Sequence, residues 1–208
     1  MKKNHSLIIA FVAIVSFLVG LVIFQSNQEK LDPTTLVYKS PREIKPFNLQ
    51  SHTNKSFSNQ DLKGKWSFLF LGYLSCPDIC PMTMMKLSQI LPELKSINSD
   101  AQVLFLSVDP KRDTTDKVAQ YVDYFSPEII GLRAEHKELY PLVRDLGLMY
   151  SIPSNEITDN YFVDHSAAIV LINPKGQIAG MFKPVVELGE VPTIDPNIVL
   201  KDFKIIDS

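Results

Sequence analysis

Cysteine is nearly absent from this chain, with two residues among 208. Neither lies near the amino terminus, so no thiol is available there to carry a lipid. No paired-carboxylate site, Ser/His/Asp triad or phosphate-cradling loop can be traced, which removes the common hydrolytic and nucleotide-dependent chemistries. Basic residues are not in excess: 21 Lys and Arg stand against 23 Asp and Glu. With no basic stripe either, the chain carries no footprint for nucleic acid. An Arg- and Ser-rich amphipathic leader is missing, which argues against a mitochondrial import signal. Repeats, low-complexity tracts and a second domain boundary are missing too. A hydrophobic content of 45% and a charged content of 21% fit one ordinary globular domain with additions.

The first addition is an apolar run from Leu7 to Phe24, broken only by Ser16 and Gly20, with no charge between Lys3 and Glu29. At about 1.5 Å per residue it spans roughly 27 Å as a helix, close to the hydrocarbon thickness of a bilayer. A cleaved signal peptide usually has an apolar region of about 7–15 residues ending in a small-residue cleavage site. The sequence Gln25-Ser26-Asn27-Gln28-Glu29-Lys30 offers no such site. Residues 1–24 are therefore expected to be a cytoplasmic flank and an uncleaved transmembrane signal anchor. Lys2 and Lys3 favour a cytoplasmic amino terminus, which exports the remainder. The expected location is a bacterial inner membrane, with the soluble part periplasmic or extracellular. Without Lys2 and Lys3, 19 basic residues face 23 acidic ones, leaving the exported part mildly acidic at −4.

Residues 25–45 are polar and interrupted by Pro33 and Pro41, and are expected to form a tether. The exported domain is expected over 46–208. Phe47 to Gln50 and Lys55 to Phe57 flank a turn, predicting an opening hairpin. Trp66–Gly72 and Val103–Val108 are apolar runs of the buried-strand type, separated by a helix whose apolar positions include Met85, Leu87, Ile90, Leu91 and Leu94. A helix over Thr114–Phe125, a short strand over Ile129–Leu132 and a helix over Lys137–Leu146 follow. Strands over Ala167–Ile172 and Gln177–Phe182 are joined by the turn Asn173-Pro174-Lys175-Gly176. Asp195–Ile206 closes the chain as a helix with proline at its start. The pattern predicts an α/β fold with a mixed sheet flanked by helices, thioredoxin-like, with an N-terminal hairpin addition. Function in such sheets gathers beyond the carboxyl ends of the strands. The loop after Gly72 and Asp109 both belong there.

Both cysteines lie in that loop, in Gly72-Tyr73-Leu74-Ser75-Cys76-Pro77-Asp78-Ile79-Cys80-Pro81. They form either a redox pair or half of a soft-metal site. A purely structural disulfide would close a loop too short to stabilise the fold much. If Cys80 opens the helix, free amides and the positive dipole end lower a thiol pKa there. Residues four apart on a regular helix have Cβ atoms about 5–6 Å apart, whereas a disulfide wants roughly 3.5–4.5 Å. A metal relaxes that demand by sitting between the sulfurs, with bonds of about 2.3 Å for zinc. Spacing leans toward chelation and leaves a disulfide open. His165, in Tyr161-Phe162-Val163-Asp164-His165-Ser166, stands where thioredoxin-like enzymes carry a cis-proline facing the redox pair. Two thiolates and an imidazole make a soft donor set favouring copper over hard ions, although a histidine bonded to a neighbouring carbonyl is the plainer alternative.

Three blocks together resemble the Sco/SenC family of copper chaperones. They are the cysteine block, Leu106-Ser107-Val108-Asp109-Pro110-Lys111-Arg112-Asp113-Thr114, and Tyr161 to Ser166 with the Pro174-Lys175-Gly176 turn. They fall in the family's order and cover about Phe47 to Lys183. The resemblance implies a membrane-anchored thioredoxin-like domain with Cys76, Cys80 and His165 as copper ligands. It implies a role in maturing the copper centre of cytochrome c oxidase, whose copper-bearing subunit is then the partner. Asp164 is a candidate carboxylate behind the imidazole. Keeping both thiols reduced outside the cytoplasm implies a thiol reductase as a further partner. The family also contains members regarded mainly as thiol reductases, so a thiol–disulfide oxidoreductase using Cys76 and Cys80 as its redox-active pair is the alternative. A thiol peroxidase is a weaker third reading.

Met82, Met84 and Met85 are soft enough to touch copper, but packing explains them. Asp109 with Pro110 to Asp113 either shapes an edge loop for partner docking or starts a helix, and Asp78 either holds the cysteine loop or biases its charge, or is a solvated turn residue. His5, His52 and His136 are expected to be solvated.

Overall fold

The computed structural model describes residues 9, 11–21, 30–152 and 161–208. The chain divides into two compact units, Met1–Leu31 and Asp32–Ser208. In the first, residues 11–21 are helical. Among the described residues no helix is long and apolar enough to cross a membrane. The span expected over Leu7–Phe24 lies partly outside those residues.

The second unit is built on an eight-stranded mixed sheet. In chain order the strands are β1 (Thr35–Glu43), β2 (Asn48–Ser51), β3 (Ser56–Ser58), β4 (Ser67–Gly72), β5 (Gln102–Ser107), β6 (Ile130–Arg133), β7 (Tyr150–Ser151), β8 (Asp164–His165), β9 (Ile169–Ile172) and β10 (Gln177–Phe182). The helices are α1 (Asn59–Leu62), α2 (Ile79–Ile97), α3 (Thr115–Phe125), α4 (His136–Asp145) and α5 (Pro196–Asp207). The large sheet runs β1-β10-β9-β4-β5-β6-β2-β3, and β7 pairs with β8 in a separate ribbon. The central strands β4, β5 and β6 are parallel, while β9 is antiparallel to β4 and β10 to β9. The mixed α/β architecture with an opening hairpin, β2–β3, is the one expected.

Every residue of β4 and β5 is buried, which is why both read as continuous apolar runs rather than alternating ones. One face of the sheet carries Phe68, Phe70 and Phe105. Phe203 of α5 meets Phe68 edge-on at 4.9 Å, and Tyr121 of α3 meets Phe105 at 5.1 Å. Complete burial of each such ring stabilises the fold by about 1.5–3 kcal/mol. Helix α2 turns Met84, Leu87, Ile90, Leu91 and Leu94 into the core at helical spacing. Its amino-terminal end is thereby fixed over the carboxyl end of β4.

One expectation needs correcting. Residues 35–43, placed within the 25–45 tether, form the edge strand β1, antiparallel to β10. An edge strand tolerates Pro41, because one side of its backbone makes no ladder, and the register shifts between Val37 and Arg42. Gly180 permits this pairing, since a Cβ there would come within 2.2 Å of the Leu36 carbonyl oxygen.

Candidate metal centre

The centre forms where β4 gives way to α2. Asp78 is the N-cap residue of α2, and its side chain makes no capping bond. Cys80 and Pro81 therefore fall in the first turn, where a proline's missing N–H costs nothing. The Cys76 amide donates to the Tyr73 carbonyl at 3.2 Å, and this turn folds the loop back on itself. The free amide of Cys80 donates to the Cys76 sulfur at 3.5 Å. A helix start thus faces Cys76 with its positive end. Gly72 makes room: a Cβ at that position would lie 2.6 Å from the Phe105 ring and 3.1 Å from the Cys80 sulfur.

The third donor arrives from the other end of the sequence. His165 lies on β8, with Tyr150 of β7 as its register partner. Its Nε2 lies 3.3 Å from the Cys80 sulfur, and its Nδ1 lies 3.1 Å from the Ser166 carbonyl oxygen. A carbonyl only accepts, so Nδ1 holds the proton and Nε2 presents its lone pair to the sulfurs. The rings of Phe70 and Tyr73 stand edge-on to the imidazole, at 6.0 and 5.8 Å. The ligand atoms of Cys76, Cys80 and His165 all lie within 4.8 Å of one another.

The two thiols are free and unequal. Cys80 is buried, whereas Cys76 is partly exposed. The Cys80 thiol donating to it holds Cys76 well below the ordinary thiol range, helped by the amides of Cys80 and Asp78. The same shared proton, together with burial, pushes Cys80 up. The pair behaves as one thiolate and one thiol, poised to lose the second proton to a cation. Burial lifts the Tyr73 hydroxyl to about 12, so that neighbour stays neutral. Two sulfurs and an oriented imidazole on a short triangle suit a soft, low-coordinate metal ion.

Of the sequence-predicted ligands, all three come together. Other expectations divide. Asp164 does not stand behind the imidazole: it is exposed, because neighbouring residues on a strand point to opposite sides, and the Ser166 carbonyl takes that place. Met84 is buried in the core, while Met82 and Met85 are exposed. Asp78 is exposed at the helix start. His52 and His136 are half-buried rather than simply solvated: Nδ1 of His52 accepts from the Gly131 amide at 3.0 Å, and Nδ1 of His136 lies 2.9 Å from the Tyr150 hydroxyl. His5 lies outside the described residues. The segment Asp109–Asp113, expected as an edge loop or a helix start, is a loop after β5 whose two carboxylates are buried, and their bonding is what sequence reasoning missed. Asp113 accepts from the Leu74 amide at 3.1 Å and from the Ser107 hydroxyl at 2.6 Å, so it ties the cysteine loop to β5. Asp109 pairs with Arg112 and accepts from the Tyr161 hydroxyl at 2.8 Å. A run of charges crowding the end of a buried strand was the available signal.

Fold and site together define a thioredoxin-like domain that presents two thiols and an imidazole at the carboxyl edge of its sheet. Residues 38–191 match the SCO1/SenC family, and the chain belongs to it. It is 34% identical over 148 residues to the human mitochondrial SCO1 homologue, an alignment covering 70% of this chain and 49% of the human protein. The chain thus spans about half the length of that relative. The copper-bound crystal structure of Arabidopsis thaliana ScoI superposes with a TM-score of 0.65 at 31% identity, covering 79% of this chain and 96% of that one. The apo Sco1 solution structure from Thermus thermophilus, at 21% identity, shares the fold with a TM-score of 0.71 over 86% of this chain and 99% of its own.

Proposed function

We propose that this protein binds copper through Cys76, Cys80 and His165 and delivers it to, or prepares, the copper centre of cytochrome c oxidase. The observation that carries the reading is the triangle of ligand atoms within 4.8 Å, with the imidazole proton already held by the Ser166 carbonyl. Binding displaces the remaining thiol proton, and the second thiolate then stabilises the cation. Two sulfurs and one nitrogen leave a coordination position for a ligand from an acceptor, which suits handover rather than permanent storage. A copper-bound relative of the same fold supports the choice of metal, and the family resemblance supplies the oxidase subunit as recipient. Residues 1–24 anchor the protein in a bacterial inner membrane with the folded unit outside, and a thiol reductase keeps the pair reduced there. The uncharged apolar run between Lys3 and Glu29 supports the anchor.

Copper titration of the reduced full-length protein tests this. One copper per chain is expected, and His165→Ala should weaken it by at least about tenfold, since even losing a partner behind a ligand costs that much. Unchanged affinity in the variant rejects the ligand set.

The amide of Cys80 aimed at the Cys76 sulfur favours a second reading, a thiol–disulfide oxidoreductase acting on cysteines of the oxidase or of another exported protein. That activity needs only the sulfurs, so His165→Ala would leave it largely intact while oxidase maturation in cells continued.

A further inference from the structure

The loop after β5 reaches both arms of the centre through one guanidinium. Asp109 has no exposed surface, and a carboxylate there is tolerated only with partners. It has two. The Arg112 Nε pairs with one carboxylate oxygen, and the Tyr161 hydroxyl donates to the other at 2.8 Å. Arg112 closes the ring: its Nη1 donates to the Tyr161 carbonyl at 2.8 Å, and its Cζ lies 3.7 Å from the centre of the Tyr161 ring. Tyr161 opens the short segment that ends at His165. The same guanidinium lies 5.5 Å from the Tyr73 ring, which stands edge-on to the imidazole at the start of the cysteine loop.

Resting on the copper-binding reading above, we propose that Arg112 is a positioning residue for the metal centre: braced by Asp109, it clamps Tyr161 against Tyr73 and thereby sets His165 within reach of the Cys80 sulfur. No atom of the clamp touches the metal; it acts through the imidazole. A lysine cannot replace it, because one planar fork must serve the carboxylate, a carbonyl and two aromatic faces together. The ring is assembled from three separate stretches of sequence, at position 73, at 109 and 112, and at 161, and each of its members is more than half enclosed.

A double-mutant cycle on the full-length protein separates this role from ordinary loop packing. Copper affinity is measured by chelator competition for wild type, Arg112→Met, His165→Ala and the double variant. Arg112→Met should lose about tenfold in affinity when His165 is present, the size typical of a partner that orients a ligand. It should lose less than about twofold when His165 is already alanine, because the clamp then has nothing to position. Arg112→Lys should not restore the loss. Equal losses in both backgrounds, no loss in either, or full rescue by lysine overturns the proposal. If His165→Ala alone leaves affinity unchanged, the ligand set itself fails, which is a separate outcome and takes the clamp down with it. Tyr161→Phe deletes the hydroxyl bond to Asp109, and carries the same cycle if Arg112→Met does not fold. In the metal-free protein, long-range proton–nitrogen spectra should show one His165 tautomer, protonated at Nδ1, in wild type and a mixture in Arg112→Met. A single unchanged tautomer there counts against the clamp.

Discussion

The carboxylate of Asp113 holds the amide of Leu74 at 3.1 Å, joining the loop after β5 to the turn that carries Cys76. Burial, with the nearby charge of Asp109 adding to it, raises the Asp113 pKa from 3.8 to about 6, against the bonds from Ser107 and Leu74. The folded chain thus holds this proton more tightly than the unfolded one. The group's contribution to stability is complete below about pH 4 and is lost as pH rises through about 6, a change on the order of 3 kcal/mol. Asp113→Asn keeps an acceptor for Leu74 and removes the charge. Urea unfolding midpoints of the variant should fall less than those of wild type between about pH 4 and pH 7. Parallel curves would show that Asp113 titrates normally.

Oxidation should silence the centre. A disulfide between Cys76 and Cys80 consumes both thiolates and leaves one imidazole, too few donors to retain the ion. Thiol counting and bound copper, followed together during mild oxidation and re-reduction, should change in step and reversibly. Copper retained by fully oxidised protein contradicts the assignment.

Gly72→Ala should damage the centre from beneath. The new methyl would lie 2.6 Å from the Phe105 ring and 3.1 Å from the Cys80 sulfur, so something must shift. Overpacking of this kind costs about 1–3 kcal/mol. Lower thermal stability and weaker copper binding are both expected. Wild-type values for the two would mean that the helix start moves freely.

The amino-terminal segment should remain attached. Mass spectrometry of the membrane fraction is expected to find a mature chain beginning before residue 7. A mature terminus beyond residue 24 identifies a cleaved signal instead.

The elements legible in the sequence are those with strong local patterns. Strands β4, β5, β9 and β10 are short apolar runs, α2 and α3 carry helical spacing, and Asn173 to Gly176 is a turn with Gly176 at φ 79°. β1 was hidden because an edge strand containing Pro41 has the composition of a linker. β7 and β8 are two residues each, too short for any periodicity to register. At the centre, the cysteines and His165 were legible because their chemistry is rare in this chain and their blocks match a family. The clamp was not. Asp109, Arg112, Tyr161 and Tyr73 look like surface charge and core aromatics until the fold brings them together. Asp164 failed as a partner for the imidazole because adjacency along a strand separates side chains rather than joining them.

The inequality of the two sulfurs gives the centre a direction in time. Cys80 is fully enclosed, while Cys76 is partly exposed and is the sulfur whose pKa is lowered. In the oxidoreductase reading proposed above, a disulfide approaching from outside meets Cys76 first, and that sulfur makes the mixed bond. Cys80 then resolves it from within, releasing the visitor as a thiol. In the copper-binding reading, an arriving ion meets the same order, captured by the outer sulfur before the inner one and the imidazole close around it. Entry and exit share one doorway, and Cys76 stands in it.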